Sequence, residues 1–385
     1  MESFILLEYE TLRIVWWLLL GVLLAAFAVM DGADLGIAML LPLVTRNDGE
    51  RRVLYNVIGP VWEGNQVWLI LSGGVIFAAW PLLYALSFSG FYLAMMLLLV
   101  ALILRPVAIK YRSKMTSATW RWRWDAIWCA TGVVAALVFG VAMGNVLLGV
   151  PFAFEEHSLR AVYGGHFFGL FQPFAVLCGV VSVLLLVFQG AVVLCWKADG
   201  LIAARAKRWA TIAGLLTILC FVLAGVWIAF GVEGYHVLTP ADPNGLSNPL
   251  AKTVINNEAG GWLANYREHT WMWLAPGGAI VAGLLAMLLA GKGTGRLGIV
   301  CSSVMVVGVV FTVGLATFPF LLPSSSDPSA SLTIYDASAS HFSLWVMLLV
   351  SAFFLPIIVA YTSWVYSVMG GKVTEDSVRD APHSY

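Results

Sequence analysis

The chain has 385 residues, of which 61% are hydrophobic and only 11% are charged, and its mean hydropathy is +0.89. Soluble domains carry roughly 25% charged residues, so this composition excludes an ordinary soluble domain and predicts a membrane protein with several spans. The 21 basic and 21 acidic residues cancel, which argues against a nucleic-acid partner because such a partner usually requires a basic field.

Nine apolar runs are long enough to cross a bilayer, which takes about 20 residues. In chain order they are 12–44, 53–80, 82–104, 126–148, 173–196, 209–231, 271–290, 297–322 and 344–368. The first run exceeds the needed length, so we expect it to tilt, break near its DG pair or project from the bilayer. The preceding MESFILLEYETLR has no basic segment, which disfavours a cleavable signal peptide. We therefore expect an all-α integral membrane protein in which residues 1–385 form a single polytopic domain.

Basic residues alternate between the connections and predict the orientation of the spans. Seventeen of them lie in segments 45–52, 105–125, 197–208, 291–296 and the tail, whereas the alternate segments hold four. Cytoplasmic loops carry the excess of Lys and Arg. The N-terminus is therefore expected outside and the C-terminus in the cytoplasm.

The second run contains the polar sequence WEGNQ. Asn56, Glu63 and Gln66 are spaced by seven and three residues, which places them on one face of a single helix. Pro60 cannot donate a backbone hydrogen bond and would leave the carbonyl group of Asn56 free. Glu63 lies ~10 residues, or roughly 15 Å, from the basic loop, so we expect it near the midplane.

The first run contains two acids, Asp31 and Asp34, in MDGADLG. They share a helix face and lie at about the same depth as Glu63, so the three carboxyl groups are expected to form one polar cluster with Gln66. Acid chains in membranes usually handle protons. Alternatively, Glu63 is neutral and hydrogen-bonded to Asn56 or Gln66, where it helps to hold helices together, and Asp31 lies at the cytoplasmic edge. The two acids are three residues apart and no bidentate Glu follows, which disfavours a calcium loop.

Histidine positions argue against haem ligation by this chain. His157, His166, His236, His269, His341 and His383 all lie in loops, at outer span ends or in the tail. Paired axial ligands within the bilayer are therefore not available, and Met would need a His partner. The five cysteines show no CxxC spacing, and neither a metal site nor a catalytic set is predicted in this chain.

Several stretches together resemble subunit II of the cytochrome bd family of quinol oxidases. They include LRIVWWLLLGVLLAAFAVMDGADLG, GPVWEGNQVWLILSGGVIFAAWP, ALILRPVAIKYRSK, WRWRWD, FGVAMGNVLLGVPF and FPFLLPSSS. The resemblance implies two four-helix bundles plus one peripheral helix, in a bacterial cytoplasmic (inner) membrane. FAF after GVP and the GLSNPL loop resemble the cyanide-insensitive, second-type branch more closely.

The same resemblance implies a partner, subunit I, which carries two b-type haems and one d-type haem. Quinol would be oxidised at the outer side, and oxygen reduced to water with cytoplasmic protons. It also implies that Glu63 contributes to a proton path toward the oxygen-reducing haem, with Asp34 and Asp31 assigned to the path less directly. Some members hold a structural quinone in this subunit, and a small single-span subunit can join.

Two other functions remain open from the residues. A proton-coupled transporter would also need buried acids, although such proteins place their sites at broken helices in paired halves, and no matching pair is evident. A purely structural scaffold for the haem-bearing subunit would make Glu63 an ordinary packing residue.

Overall fold

The computed structural model describes residues 5–155, 160–292 and 295–379. Its helices are α1 (Tyr9–Val44), α2 (Asp48–Ile58), α3 (Trp62–Ala79), α4 (Pro81–Gly90), α5 (Tyr92–Tyr111), α6 (Ala118–Leu148), α7 (Pro173–Lys197), α8 (Gly200–Gly231), α9 (Ala264–Glu268), α10 (Leu274–Lys292), α11 (Gly295–Thr317), α12 (His341–Val368) and α13 (Glu375–Arg379). Three antiparallel hairpins pair β1 (Phe152–Phe154) with β2 (Ala161–Tyr163), β3 (Glu233–Thr239) with β4 (Thr253–Ala259), and β5 (Phe320–Leu322) with β6 (Leu332–Thr333).

The spanning helices agree with the expected all-α membrane fold. In the described part of the chain, eight helices are long and apolar enough to cross a membrane, and the pair α3–α4, bent by 118°, would be the ninth. α3 reaches from one end of the molecule to the other without the help of α4. Glu63 in its first turn forms an ion pair with Lys110 at the end of α5. Ala79 in its last turn accepts a hydrogen bond from the backbone N–H of Ala339, just before α12. Within the described residues the bent pair therefore brings the candidate spans to as many as nine.

The prediction of one continuous helix over 53–80 is wrong. α2 ends at Ile58, residues 59–61 form a turn, and α3 begins at Trp62. Pro60 lies in that turn, where its missing N–H and fixed backbone disfavour a continuous helix. The start of the predicted span therefore belongs to a separate helix, α2, whose N-cap Asn47 accepts a hydrogen bond from the backbone N–H of Glu50.

The spanning helices form two groups of four and one outlier. α1, α3, α5 and α6 form the first group, and α7, α8, α10 and α11 form the second. α1 and α7 join the groups at very close range, because a Cβ atom on Gly36 would collide with the backbone carbonyl of Leu186. α12 is peripheral: within it only Leu344 is buried.

The described residues of the five basic segments gather at one end of the molecule, which we call the basic end. There Arg112 binds both Asp125 and Asp48, and Arg205 binds Glu50 at 2.7 Å. The tail is fastened to the same end. These contacts group the loops as the charge count predicted, whereas the side of the membrane on which this end lies stays a prediction.

The opposite end carries the three hairpins and a loop that folds back onto α1. Arg13 is buried and donates hydrogen bonds to the carbonyl oxygens of Pro243 and Gly245, at 2.6 and 3.1 Å. Nearby, Lys252 and Asp336 form a buried ion pair with an N–O distance of 2.9 Å. A buried pair of this kind is costly to break, so it fixes the loop on the hairpins.

Candidate functional site

A buried ionic cluster lies between α1 and α5. Asp31 and Asp34 on α1, and Arg105 on α5, are all buried. Arg105 Nη2 lies 2.7 Å from Asp31 Oδ1, and Nη1 lies 2.9 Å from Asp31 Oδ2. The distance from Nη2 to Asp34 Oδ2 is longer, 3.5 Å. Arg105 therefore forms a bidentate ion pair with Asp31 through Nη1 and Nη2 and makes a longer contact with Asp34.

Asp34 has a second polar neighbour. Asn65, buried near the start of α3, donates from Nδ2 to Asp34 Oδ2 at 2.8 Å. Its other amide atom, Oδ1, accepts a hydrogen bond of 2.8 Å from the hydroxyl group of Tyr366 on α12. Helices α1, α3, α5 and α12 thus meet in one hydrogen-bonded network, which we call the acid-pair network: Asp31, Asp34, Asn65, Arg105 and Tyr366.

Local sequence explains how the two acids come to face Arg105. Their spacing of three residues puts both on one side of α1, while Gly32 and Gly36 lie against α7 and let its backbone come close. α1 is helical throughout, so the DG pair does not break it. Its 36 residues extend ~54 Å at ~1.5 Å per residue, well beyond a ~30 Å hydrocarbon core, so of the three expectations for this run a break is excluded, and tilt or projection remains.

The depth of the network follows from the same helix geometry. Asp34 precedes the end of α1 by ten residues, or roughly 15 Å. Arg105 precedes the end of α5 by six residues, or roughly 9 Å. The network therefore lies inside the helix bundle on the side of the basic end.

The structure places Glu63 apart from this network. Its side chain is 67% exposed on the chain and forms an ion pair with Lys110 at 3.2 Å. The prediction that Glu63 joins Asp31 and Asp34 in a cluster near the midplane is therefore wrong. The cause is the turn at residues 59–61, which makes Glu63 a first-turn residue of α3 at the basic end instead of a residue ten positions along a span.

The two supporting polar residues do not share a face with Glu63 on one helix, as the sequence had suggested. Asn56 belongs to α2 and donates to the carbonyl oxygen of Arg52 at 2.7 Å. Gln66 belongs to α3 and is partly exposed. The break between α2 and α3 separates them, since a helical face extends only along a continuous helix.

The sequence did not predict three members of the network: Arg105, Asn65 and Tyr366. Arg105 directly follows an apolar run and was assigned to a basic loop, although the helix continues to Tyr111. Its charge inside an apolar helix was the available signal, because a cation within a span usually has an acidic partner. Asn65 belongs to the WEGNQ sequence itself, and only the neighbouring Glu63 and Gln66 received a role.

The charges of the network suit the storage of one proton. One guanidinium and two carboxyl groups are neutral together when one of the carboxyl groups is protonated, and a surplus charge in a buried site is costly. Asp31 makes the two short contacts with Arg105 and is therefore the ion-pair partner of the guanidinium group. Asp34, with the longer contact, is the carboxyl group better suited to take and release the proton.

Within residues 5–155, 160–292 and 295–379, no group of three or more His, Cys, Asp and Glu could hold a metal ion. Most of the described histidines lie in the connections that join spanning helices. His341 is the first residue of α12, and its ring nitrogen contacts the carbonyl oxygen of Leu7. His157 and His383 fall outside the described residues.

Comparison with known proteins gives consistent matches over nearly the whole chain. The family model described as cytochrome bd terminal oxidase subunit II matches residues 12–369. The chain is 46% identical to the cytochrome bd-I ubiquinol oxidase subunit 2 of Escherichia coli K12, covering 98% of this chain and 100% of that protein. It is 43% identical to the probable cytochrome oxidase subunit 2 of Haemophilus influenzae, with the same coverage.

A solved structure supports the fold. A chain of the bd oxidase from Geobacillus thermodenitrificans superposes with a TM-score of 0.68 at 16% identity, covering 93% of this chain and 98% of that chain. At this low identity the match concerns the arrangement of helices alone.

Proposed function

The chain belongs to the cytochrome bd terminal oxidase subunit II family, and we propose that within such an oxidase it holds and passes a proton at Asp34. As a family member it is a subunit of a quinol oxidase, an oxidoreductase complex of a bacterial respiratory chain that contains haem and includes a partner, subunit I. The observation that supports the proposal is the buried group of one arginine and two aspartates, bridged by Asn65.

The residues have separate roles in this proposal. Asp31 and Arg105 form a permanent pair that keeps one positive and one negative charge in the bundle. Asp34 is the titrating carboxyl group, and the neutral form of the network contains its proton. Asn65 donates a hydrogen bond to Asp34 Oδ2, which stabilises the carboxylate after the proton has left.

Glu63 keeps the proton-path role that the resemblance implies, but at a different position: it lies at the basic end and not near the midplane. Since it is exposed and paired with Lys110 at the basic end, it lies where protons would enter and where another chain can contact it. The neighbouring outer face of α3 and α5 is apolar and exposed, for example at Ile70, Leu97 and Ile103. We propose that this face binds subunit I and that Glu63 lies on the proton path at the interface.

We assign the haem cofactors to the partner, subunit I. The two b-type haems and the d-type haem would be bound by subunit I, where they supply the oxygen chemistry and where quinol is oxidised at the outer side. An apolar cleft of about 70 Å³ between α5 and α6, lined by residues that include Met95, Leu137 and Phe171, could contribute to a site for the tail of a structural quinone.

The whole chain would act as one membrane domain of the bacterial inner membrane, with the basic end in the cytoplasm. A small single-span subunit would be a further partner, and membership of the second-type branch stays a prediction.

The proposal is tested with Asp34→Asn in the assembled oxidase. Turnover with quinol, measured per haem, is expected to fall about 100-fold, the scale of a lost proton-transfer group. Asp376→Asn is the matched control, because Asp376 is an exposed acid of α13 at the same end. Wild-type turnover of the Asp34 variant, with normal haem content, would reject the proton-carrying role of Asp34.

A further inference from the structure

The peripheral helix α12 reaches the acid-pair network through one side chain. Along α12 only Leu344, near its first turn, is buried. At the other end of the helix, partly buried Tyr366 donates a hydrogen bond to Asn65 at 2.8 Å. A helix that otherwise packs loosely is thus connected to Asp34 by two consecutive hydrogen bonds.

The tail holds Tyr366 in place. Three residues after it, the carbonyl oxygen of Met369 accepts a hydrogen bond of 2.6 Å from Lys197 at the end of α7. The backbone N–H of Val373 then donates to the carbonyl oxygen of Lys197 at 2.7 Å. Because the chain is fastened to α7 directly after Tyr366, the position of its hydroxyl group is set by the scaffold.

The chemistry of an amide gives this contact a direction. Asn65 has a carbonyl oxygen that only accepts and an NH₂ group that only donates. Since the Tyr366 hydroxyl donates to Oδ1, the NH₂ group must point away from Tyr366, and it does so toward Asp34. Without that hydroxyl, Asn65 could turn its oxygen toward Asp34, where it would accept from the protonated carboxyl group but could donate nothing to the carboxylate left after the proton has gone.

We propose that Tyr366 is a positioning residue for Asp34: its hydroxyl group fixes the orientation of the Asn65 amide and thereby links α12 to the release of the proton from Asp34. The inference rests on the proposed function of Asp34. Tyr366 itself does not carry the proton, because the amide between them cannot relay it without changing its bonding.

The test compares Tyr366→Phe with Tyr361→Phe in the intact oxidase. Tyr361 lies on the same helix and is 62% exposed, so the same substitution there removes a hydroxyl group outside the network. We expect Tyr366→Phe to lower turnover per haem about two- to tenfold, the effect of one buried hydrogen bond on the population of the oriented amide, and Tyr361→Phe to leave it unchanged.

Infrared difference spectra can distinguish a positioning role of Tyr366 from a purely structural one, because a purely structural role would leave the carboxyl band of Asp34 unchanged. The band of the protonated carboxyl group, assigned by its loss in Asp34→Asn, should shift in Tyr366→Phe and stay in place in Tyr361→Phe. Asn65→Ala should produce a shift as well, and Tyr366→Phe should add nothing to it in the double variant. Asn65→Ala also provides a second test should Tyr366→Phe reduce assembly.

Two results would overturn the inference: an Asp34 band unchanged by Tyr366→Phe, or a full extra loss of turnover when Tyr366→Phe is added to Asn65→Ala. A failure of the proposed function would give a different result: Asp34→Asn itself would turn over at the wild-type rate.

Discussion

Removal of Arg105 is the most informative perturbation of the acid-pair network. Arg105→Met keeps a long, flexible side chain in the bundle but leaves Asp31 and Asp34 without their cation. Breaking a buried ion pair by removing one partner costs about 3–5 kcal/mol. The contacts of 2.7 and 2.9 Å to Asp31, against 3.5 Å to Asp34, assign most of this cost to Asp31.

A double variant separates the stability cost of an unpaired buried charge from a general disruption of packing. Asp31→Asn combined with Arg105→Met removes both partners of the tighter pair, so no unpaired charge remains there and most of the lost stability should return. Asp34→Asn alone should cost only about 1 kcal/mol, because an amide oxygen can still accept from Asn65.

The assay is thermal denaturation of the intact oxidase in lipid nanodiscs, followed by loss of the haem spectrum. A loss of 3 kcal/mol or more should lower the midpoint by roughly 5 °C. Arg105→Met with a wild-type midpoint, or a double variant no more stable than Arg105→Met, would refute the idea that a buried charge balance holds these helices together.

Three further outcomes are expected. Glu63→Gln should leave the melting midpoint unchanged, because exposed ion pairs contribute little, yet lower turnover of the oxidase. Gly36→Leu should prevent close packing of α1 on α7 and reduce the yield of assembled oxidase, whereas Gly225→Leu on α8, where a Cβ meets no atom within 4 Å, should not. Lys252→Met should cost about 3–5 kcal/mol at neutral pH; burial raises the pKa of Asp336, an effect that Lys252 opposes, so the loss should shrink as the pH falls and Asp336 becomes protonated. A melting-midpoint difference from wild type that is independent of pH would contradict this last account.

The sequence predicted the helical membrane fold and two of the five members of the acid-pair network. Apolar runs define most helices because lipid allows few other spanning structures, and the spacing of Asp31 and Asp34 correctly put them together. Glu63 was misplaced because hydropathy does not detect a turn within an apolar run. Pro60 was the available signal, and it was interpreted as a local loss of one hydrogen bond instead of a helix end.

The rest of the site depends on contacts between distant parts of the chain. Tyr366 and Asn65 are separated by 301 positions, and nothing in the local pattern of α12 distinguishes Tyr366 from Tyr361. Arg105 was hidden by its position next to a basic loop, since charge counting assigns it to that loop. Pairing between helices is decided by packing in three dimensions, which a single sequence does not show.

Proton uptake during oxygen reduction tests the central claim most directly. Fully reduced oxidase carrying Asp34→Asn, mixed with oxygen in a weakly buffered solution with a pH indicator, should take up protons at least ~10-fold more slowly than wild type while its haem content is normal. Uptake at the wild-type rate would contradict the account, because the proton would then reach the site of oxygen reduction without Asp34.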